Sequence, residues 1–490
     1  MPEQKDLELL IHGHTPILQI ETHEEKRALD LLVRIATQNV IPLFKWSVTE
    51  GLRRVDIDLG VQRHNAEPRD VLGHIKSSDV DGIYVLLDFD PYIQEPVNQR
   101  YIKEIAMQFE GGRNKLVFIS HKVDMPPGLA KRVARFELRL PDASALEHII
   151  RDEAGRWQKE SGKRVATDAD TLQRLMRNLS GLTFNDARRL VRNVIVDDGA
   201  ITEEDLPEVM RAKYQLLNRD DVLSFEFETT RFSEVGGMRT LKRWLQQREK
   251  IFHGLIDQPG IDTPRGVLLL GVQGCGKSLA AKAIAGIWKV PLLRFDFGAL
   301  YDKYIGESEK NLRESLKTAE VMAPCVMWID EIEKGIASGN DDGTSRRILG
   351  SLLTWLAENR SSVFIVATAN NIDDLPPELI RKGRLDEIFF VDLPKQDIRK
   401  QIFSIHMDKR QVDPSAIDLE TLAAASEGFS GSEIEQAVVS AIYSSYGSDR
   451  PMTTQSLLKE IRATRPLSVV MDAQIQKLKQ WAESRTVPVD

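Results

Sequence analysis

Residues 271–278 read Gly-Val-Gln-Gly-Cys-Gly-Lys-Ser, and they stand between the apolar run 267–270 and a helix-like stretch over 279–288. Glycines at this spacing let the backbone turn closely enough for its N–H groups to surround phosphates. Lys277 can then reach the outer phosphates and Ser278 can hold Mg²⁺, while the helix adds the positive end of its dipole. A strand before the motif and a helix after it are the context that it requires. The segment therefore predicts a binding site for a nucleoside triphosphate.

The length and composition of the chain limit the number of domains, the surface charge and the compartment that we expect for this protein. The chain has 490 residues, enough for about three or four domains, and its net charge of −8 argues against a generally basic surface for nucleic acid. Cys275 and Cys325 offer neither a disulfide framework nor a zinc cluster, which indicates a reducing compartment. Because the first residues lack an apolar signal core and no apolar run approaches the length of a membrane span, we expect a protein of the cytoplasm or plastid stroma without a membrane span.

Two acids follow the next strongly apolar run. Residues 326–329 predict a buried parallel strand, and Asp330 and Glu331 stand at its carboxyl end. Asp330 is placed to support the Mg²⁺ shell, and Glu331 to polarise the water that attacks the terminal phosphate. An acidic helix cap after a strand is the alternative interpretation.

A further strand and a basic turn complete the predicted site. The apolar run 363–367 leads to Asn370, whose amide could orient the water. The turn 381–386 carries Arg381 and Arg384, and arginines in such a turn can project into the phosphate site of a neighbouring subunit.

Residues 225 to about 465 together resemble the ATPase module of the AAA family. The resemblance assigns Walker A to Lys277 and Ser278, Walker B to Asp330 and Glu331, and sensor 1 to Asn370, and it makes Arg381 and Arg384 arginine fingers. It implies ATP and Mg²⁺ as ligands, with the metal held by Ser278 and Asp330. Its nucleotide-binding positions are Gly271, Val272, Gln273, Gly274, Cys275, Gly276, Lys277, Ser278, Leu279, Val235, Gly236, His406, Gly431 and Ser432.

Some positions depart from the family pattern or keep an alternative. Val272 and Gln273 stand where the family has Pro-Pro, and Cys275 and Ser278 where it has Thr, but no catalytic group is lost. A histidine on an apolar helix, such as His406, is equally compatible with a place in the core.

The segment Tyr304-Ile305-Gly306 resembles the first pore loop with which related hexamers grip a threaded chain. An exposed aromatic side chain at a glycine turn can press on an extended polymer without reading its sequence. The alternative is a tyrosine that closes a small core. Arginines that act in trans need a neighbour, and head-to-tail contacts that close make rings, so we expect a homo-oligomer, a hexamer by the resemblance.

The front half repeats this layout without the phosphate loop. Residues 16–22 predict a strand and 23–37 a helix, but Thr-His-Glu-Glu-Lys at 22–26 cannot form a cradle. Residues 82–90 and 115–120 imitate the acidic strand and the strand after it. The predicted fold class is α/β, with tandem AAA-like P-loop modules, each a parallel sheet plus a helical lid, of which the N-terminal copy is degenerate. The alternative is that the two halves are not copies of one module, because any two parallel-sheet domains share alternating strands and helices.

The predicted domains are 1–140 for the degenerate α/β domain, 141–218 for its lid, 219–395 for the ATPase α/β domain with its linker, 396–465 for the second lid and 466–490 for a C-terminal helix. Within the last, residues 472–483 are amphipathic, and we expect them to pack on a ring neighbour or on the second lid. The front lid holds an arginine cluster that could neutralise nucleic-acid phosphates or form a solvated, acid-paired face, and its members are Arg174, Arg177, Arg188, Arg189 and Arg192.

The sequence thus predicts a ring-forming ATPase that moves or remodels a macromolecular partner, with protein as the expected substrate. The whole chain resembles AAA proteins encoded in cyanobacteria and algal plastid genomes, which implies a cytoplasmic or plastid-stromal role linked to photosynthesis. The alternative is a nucleotide-gated scaffold whose front half binds RNA, DNA or protein without threading.

Overall fold

The computed structural model describes residues 2–55, 65–217, 222–226, 234–256, 260–301, 308–337, 344–381, 383–448 and 451–490. The predicted pore-loop residues Tyr304, Ile305 and Gly306 lie outside these ranges. The chain divides into two compact units, Met1–Glu153 with Leu182–Val191, and Ala154–Gly181 with Arg192–Asp490. The domain boundaries drawn from the sequence stay predictions.

A six-stranded sheet forms the centre of the first unit. Its strands run in the order β3-β2-β4-β5-β1-β6, and all neighbours are parallel except the β2–β3 hairpin. Strands β4 and β5 are buried throughout, because helices cover both faces of the sheet. The elements from the start of the chain are α1 Pro2–His12, β1 Ile17–Glu21, α2 Glu25–Gln38, β2 Leu43–Ser47, β3 Gly51–Arg54, α3 Pro68–Ser77, β4 Ile83–Leu87, α4 Asp90–Ile93, α5 Pro96–Phe109, β5 Lys115–Ser120 and β6 Val133–Phe136.

The helices that follow in the chain are α6 Ala143–Ser161, α7 Ala169–Leu179, α8 Phe184–Asp198 and α9 Leu206–Leu217. One boundary between the two compact units falls within α6 and another within α8.

A seven-stranded sheet forms the centre of the second unit, in the order β13-β12-β8-β11-β10-β9-β7, with only the β7–β9 pair antiparallel. Its elements are β7 Leu223–Glu226, α10 Arg239–Phe252, β8 Gly266–Gly271, α11 Lys277–Trp288, β9 Leu292–Phe295, α12 Phe297–Tyr301, α13 Ser308–Met322, β10 Cys325–Ile329, α14 Ile332–Ala337, α15 Thr344–Glu358, β11 Val363–Ala369, α16 Pro377–Ile380 and β12 Glu387–Val391. Alternate residues of β8 enter two apolar clusters, one on each face of the sheet.

A helical lid follows β12 and has its own apolar cluster, which includes Phe403, Ile434 and Leu457. The elements of the lid and the segment after it are α17 Gln396–Asp408, α18 Leu419–Ala425, α19 Gly431–Ser448, α20 Thr454–Ala463, α21 Leu467–Val470, α22 Asp472–Ala482 and β13 Val487–Pro488.

The central strands of the two sheets have the same order. It is β2-β4-β5-β1-β6 in the first unit and β9-β10-β11-β8-β12 in the second, and in both sets of five the first strand along the chain lies beside the last. The predicted tandem α/β architecture is therefore confirmed. No helix in the described ranges is long and apolar enough to cross a bilayer.

The C-terminal segment differs from its prediction. Helix α22 forms, but Leu478 lies in the apolar cluster beneath the second sheet together with Leu268, so it packs on this sheet rather than on the lid. Strand β13 was not predicted. It extends the sheet beside β12, and the carbonyl of Val489 accepts a hydrogen bond from the N–H of Thr240 at 2.8 Å.

Candidate nucleotide-binding site

The loop between β8 and α11 has the backbone of a phosphate cradle. Gly274 and Gly276 have φ of +76° and +86°, a left-handed conformation that side chains with a Cβ rarely adopt. A Cβ on Gly274 would also lie 2.2 Å from the Ser432 Oγ of the lid. Glycine is therefore required here both by the turn and by the close approach of the lid.

Lys277 is buried at the start of α11, and within the described residues its hydrogen bonds go to backbone carbonyls. Its Nζ donates to the carbonyl oxygens of Gly271 at 2.9 Å and Val272 at 2.8 Å. Burial lowers the pKa of Lys277 to about 8, because the charged ammonium loses its water. A polyphosphate would supply negatively charged hydrogen-bond acceptors in place of the two carbonyls.

A hydroxyl and a carboxylate meet beside the loop. Ser278 Oγ donates to Asp330 Oδ1 at 3.1 Å, and Thr368 Oγ1 donates to the same oxygen at 2.6 Å. Mg²⁺ prefers oxygen ligands and binds through one or two carboxylates together with substrate phosphates. The donor set of Ser278 and Asp330 fits this metal, whereas the part of Thr368 was not predicted.

Glu331 is held in place by its neighbours. Asn370 Nδ2 donates to Glu331 Oε1 at 2.8 Å, Lys334 Nζ lies 2.5 Å from Oε2, and the Glu331 N–H donates to Thr368 Oγ1 at 2.9 Å. Its φ of +48° is unusual for a residue with a Cβ. The structure thus brings Glu331 and the predicted amide of Asn370 into direct contact.

A third acid, which was not predicted from the sequence, holds the backbone of Asn370. Glu333 is buried, and its Oε1 accepts the backbone N–H of Asn370 at 2.8 Å. Burial raises the pKa of Glu333. An acid three positions after Asp330 was the available signal, but its direction depends on how α14 leaves the strand.

The loop and the lid enclose a cavity of about 880 Å³. The lid closes on the loop through Ser432, whose N–H donates to the Gly274 carbonyl at 3.0 Å. The predicted residues that line the cavity are Val235, Gly236, Gln273, Gly274, Cys275, Gly276, Lys277, Ser278, Leu279, Asp330, Glu331, Asn370, His406, Gly431 and Ser432. Lining residues that the sequence did not single out include Met238, Ile402, Ile405, Lys409 and Glu435.

His406 lies in the wall of this cavity. Its Nδ1 is 3.5 Å from Glu435 Oε1, and burial lowers the pKa of the imidazole. Burial favours the neutral ring, which can lie against a nucleotide base. Cys275 also lines the cavity, where burial raises its thiol pKa to about 12, so the thiol stays protonated at neutral pH.

The predicted arginine fingers do not face the cavity of their own chain, as far as the described residues show. Arg381 is exposed, and Arg384 donates to the carbonyl of Glu378. Asp386 anchors their turn by accepting the N–H groups of Arg265 at 2.7 Å and Gly266 at 3.0 Å. The turn is thereby tied to the start of β8.

In the first unit a buried carboxylate replaces the cradle. Glu24 is 4% exposed, forms an ion pair with Arg27 at 2.9 Å and accepts the N–H of Asn185 at 3.1 Å. A second anion would be repelled here. At the neighbouring strand ends, Asp88, Asp90 and His121 each offer a ligand atom within 4.8 Å of the others, and both aspartates accept the Ser120 hydroxyl.

Several arginines of the predicted cluster form ion pairs with acidic side chains. Within the first unit Arg188 pairs with Glu153 at 3.2 Å and Arg189 with Asp186 at 3.3 Å. Within the second unit Arg174 pairs with Glu203 at 2.7 Å. These contacts follow the acid-paired interpretation and weaken the case for phosphate binding.

Family models match both halves of the chain and agree with this geometry. Residues 267–393 match the ATPase family associated with various cellular activities (AAA), and residues 416–460 match the AAA+ lid domain. Residues 3–138 and 144–220 match the N-terminal and second domains of SpoVK-like AAA ATPases. The chain belongs to the AAA ATPase family.

Relatives that are similar over nearly the whole chain include two ycf46 proteins. The "Uncharacterized AAA domain-containing protein ycf46" of Guillardia theta is 35% identical over 488 residues, which cover 98% of this chain and 95% of the relative. The ycf46 protein of Pyropia yezoensis is 34% identical over 486 residues, or 98% and 97% of the two chains. The proteasome-activating nucleotidase of Aeropyrum pernix is 33% identical over 251 residues, 48% of this chain and 60% of that one.

Proposed function

We propose that this protein hydrolyses ATP in the cavity between the phosphate loop and the lid, and that a ring of copies uses the energy to remodel or move a macromolecular partner. The observation that carries the first part is the contact of Asn370 with Glu331, beside the Ser278–Asp330 pair. These groups form one connected site for phosphate chemistry.

Each residue has a role that follows from its contacts. Lys277 would exchange its two carbonyl partners for phosphate oxygens. Ser278 and Asp330 would hold Mg²⁺, which when bound neutralises charge on the phosphates. Glu331, oriented by Asn370 and Lys334, accepts a proton from the attacking water.

Glu331→Gln tests the hydrolysis directly. The amide keeps the size of the side chain but cannot take the proton, so phosphate release with Mg·ATP should fall by roughly 10²-fold or more while ATP binding persists. Glu314→Gln, on the exposed face of α13, is the matched control and should leave turnover unchanged. Wild-type protein that binds ATP but releases no phosphate, in any oligomeric state, would contradict the proposal.

The ring is supported by the exposed position of Arg381 and by family membership. Subunits with Arg381→Ala and subunits with Glu331→Gln should each be inactive alone. Mixed rings should regain ATP turnover at interfaces where an unmutated Arg381 of one subunit meets an unmutated Glu331 of its neighbour. If mixed assemblies form and stay inactive, action in trans is wrong.

Work on a threaded protein substrate is the finer part of the proposal, and it rests on the pore-loop resemblance of Tyr304. Tyr304→Ala should abolish partner remodelling and leave ATP turnover intact. Unchanged remodelling would favour the scaffold, in which ATP sets the shape of the ring. Capture of partners on the Glu331→Gln variant would identify the substrate.

The setting belongs to the same proposal. Similarity over nearly the whole chain to the two ycf46 proteins supports a place in the cytoplasm or plastid stroma. We further propose a link to the regulation of photosynthesis. Loss of the protein should then alter growth mainly under conditions that limit photosynthesis. If loss of the protein changes growth equally in darkness on supplied sugar, the proposed link to photosynthesis is wrong, and the proposed ATPase activity is not affected by that result.

A further inference from the structure

A second cavity lies within the second unit, at the far end of α11 from the phosphate loop. Its volume is about 310 Å³. Residues of helices α7 and α9, of strand β7 and of the end of α11 line it. With 12 residues, α11 is about 18 Å long, so this cavity is separate from the nucleotide site.

The polar residues that line the cavity carry more positive than negative charge. Lys289 and Arg174 both bind Glu203 Oε1 at 2.7 Å, and they hold the pKa of that carboxyl at about 2. The other acid of the lining, Glu226, pairs with Lys282 at 3.1 Å. The acids of the cavity are therefore already neutralised by cations.

Arg177 is the cation that remains. It lines the cavity from α7 and is half-buried, and within the described part of the chain no hydrogen bond or ion pair reaches its guanidinium. Its charge acts on His253 across the cavity: burial, with Arg177 and Arg174 adding to it, lowers the pKa of that imidazole. A half-buried guanidinium without an acceptor favours a bound anion, because its five N–H donors match a carboxylate or phosphate.

Other residues of the lining are apolar. They are Phe225 of β7, Leu206 and Met210 of α9, and Leu292 of β9. A volume near 300 Å³ is at the lower end of the range for small-molecule sites, and such sites combine apolar walls with a few polar groups that fix the orientation of the ligand. The charged and the apolar residues of the lining thus fit the two parts of one amphipathic molecule.

We propose that this cavity binds a small organic anion, a carboxylate or phosphate ester with an apolar body, whose acid group pairs with Arg177 while the apolar part lies against Phe225 and Met210. The inference does not depend on ATP hydrolysis. It adds a ligand site where the helices of the second family domain meet the helix that starts in the phosphate loop.

The test uses 2-naphthoate as the probe and its uncharged counterpart 2-naphthamide. Binding to the full chain is measured by equilibrium dialysis in excess non-hydrolysable ATP analogue with Mg²⁺, which keeps the nucleotide site filled. One equivalent of 2-naphthoate should bind per chain. Arg177→Ala should weaken it about tenfold or more, and Arg177→Lys should recover part of the loss because it restores charge without the fork.

Two comparisons locate the site. Phe225→Ala should weaken both probes, whereas Arg177→Ala should leave the weaker binding of 2-naphthamide unchanged. Arg192→Ala removes an exposed arginine of α8 outside the cavity and should change neither. Thermal unfolding checks that each variant is folded. Absence of saturable 2-naphthoate binding, undiminished binding in Arg177→Ala, or an equal loss in Arg192→Ala would overturn the proposal.

Discussion

The two α/β modules of this chain share a strand order but not a ligand site. In the second, β8 leads into a glycine turn that leaves room for phosphates. In the first, β1 leads to Glu24, whose buried carboxylate already binds Arg27. The comparison teaches that the topology of the sheet is kept by its apolar strands, whereas we expect nucleotide binding to depend on a few residues of one loop.

The lids extend the comparison to single hydrogen bonds. Ser430 Oγ donates to Glu433 Oε2 in the second lid, and Thr183 Oγ1 donates to Asp186 Oδ2 in the first, both at 2.8 Å. Two residues after each hydroxyl, a backbone N–H reaches the loop region, at Gly274 and Glu24 respectively. The first module therefore has the same kind of contact between lid and loop, although it has no phosphate cradle. We interpret the contact in that module as structural.

The largest expected effect concerns which module binds ATP. Lys277→Ala removes the cation of the only predicted cradle, so ATP binding should weaken by about 10³-fold or more, since charged hydrogen bonds to buried phosphates are lost. Isothermal titration calorimetry would measure it. The wild type should bind one ATP per chain, and a second equivalent, or one that persists in Lys277→Ala, would show that the first module binds nucleotide as well.

The next effect concerns the substitute for the cradle. Glu24→Ala removes a buried carboxylate and leaves part of the charge of the partly buried Arg27 uncompensated, so it should lower the free energy of unfolding by about 3 kcal/mol. Urea denaturation measures this loss, and the affinity for ATP should not change. Glu25→Ala, one position later and exposed, is the control and should cost little. A change in ATP affinity in Glu24→Ala would mean that the modules are not independent in ligand binding.

Much of this architecture could be predicted from the sequence. Runs such as 326–329 and 363–367 are apolar enough to identify buried parallel strands, and the carboxyl ends of such strands meet at one edge of a sheet. The meeting of Asp330, Glu331 and Asn370 follows from this rule. The tandem repeat followed in the same way, because each apolar run had a counterpart in the front half.

Other contacts could not be predicted, because they depend on register or on tertiary packing. Thr368 reaches Asp330 only because Ile329 pairs with Ala367, and no pattern in the sequence fixes that register. Strand β13 is two residues long and ends in proline, so it carries no periodicity. Its pairing with β12 is a matter of tertiary structure.

A smaller effect compares two glycines of nearly the same backbone conformation. Gly274 has φ +76° and Gly111 has φ +79°, but a Cβ would strike Ser432 only at Gly274, since Gly111 has nothing within 4 Å. Gly111→Ala should cost about 1 kcal/mol of stability and leave ATP affinity unchanged. Gly274→Ala adds the clash with the lid, and ATP affinity should fall by roughly tenfold or more. Equal effects of the two variants would show that the clash is relieved at no cost.

The smallest effect is a pH dependence shared by two buried lysines. Burial lowers the pKa of both Lys277 and Lys213 to about 8, and Lys213 Nζ donates to the Ser180 carbonyl. Between pH 8 and about 10.5 the unfolded chain binds more protons at these positions than the native one. The free energy of unfolding should therefore rise with pH in this window, by on the order of 1 kcal/mol per lysine up to pH 9.5.

Nucleotide distinguishes the two lysines. Phosphates would give Lys277 a charged partner and restore its pKa, so Mg·ATP should remove its share of the rise, as Lys277→Met does in ligand-free protein. The share of Lys213 should persist with nucleotide and vanish only in Lys213→Met, because that lysine lies on α9, away from the cavity. Denaturation curves at pH 8 and 9.5, with and without Mg·ATP, measure both shares. If the wild type keeps the whole rise with saturating Mg·ATP, phosphates do not supply a charged partner that restores the pKa of Lys277.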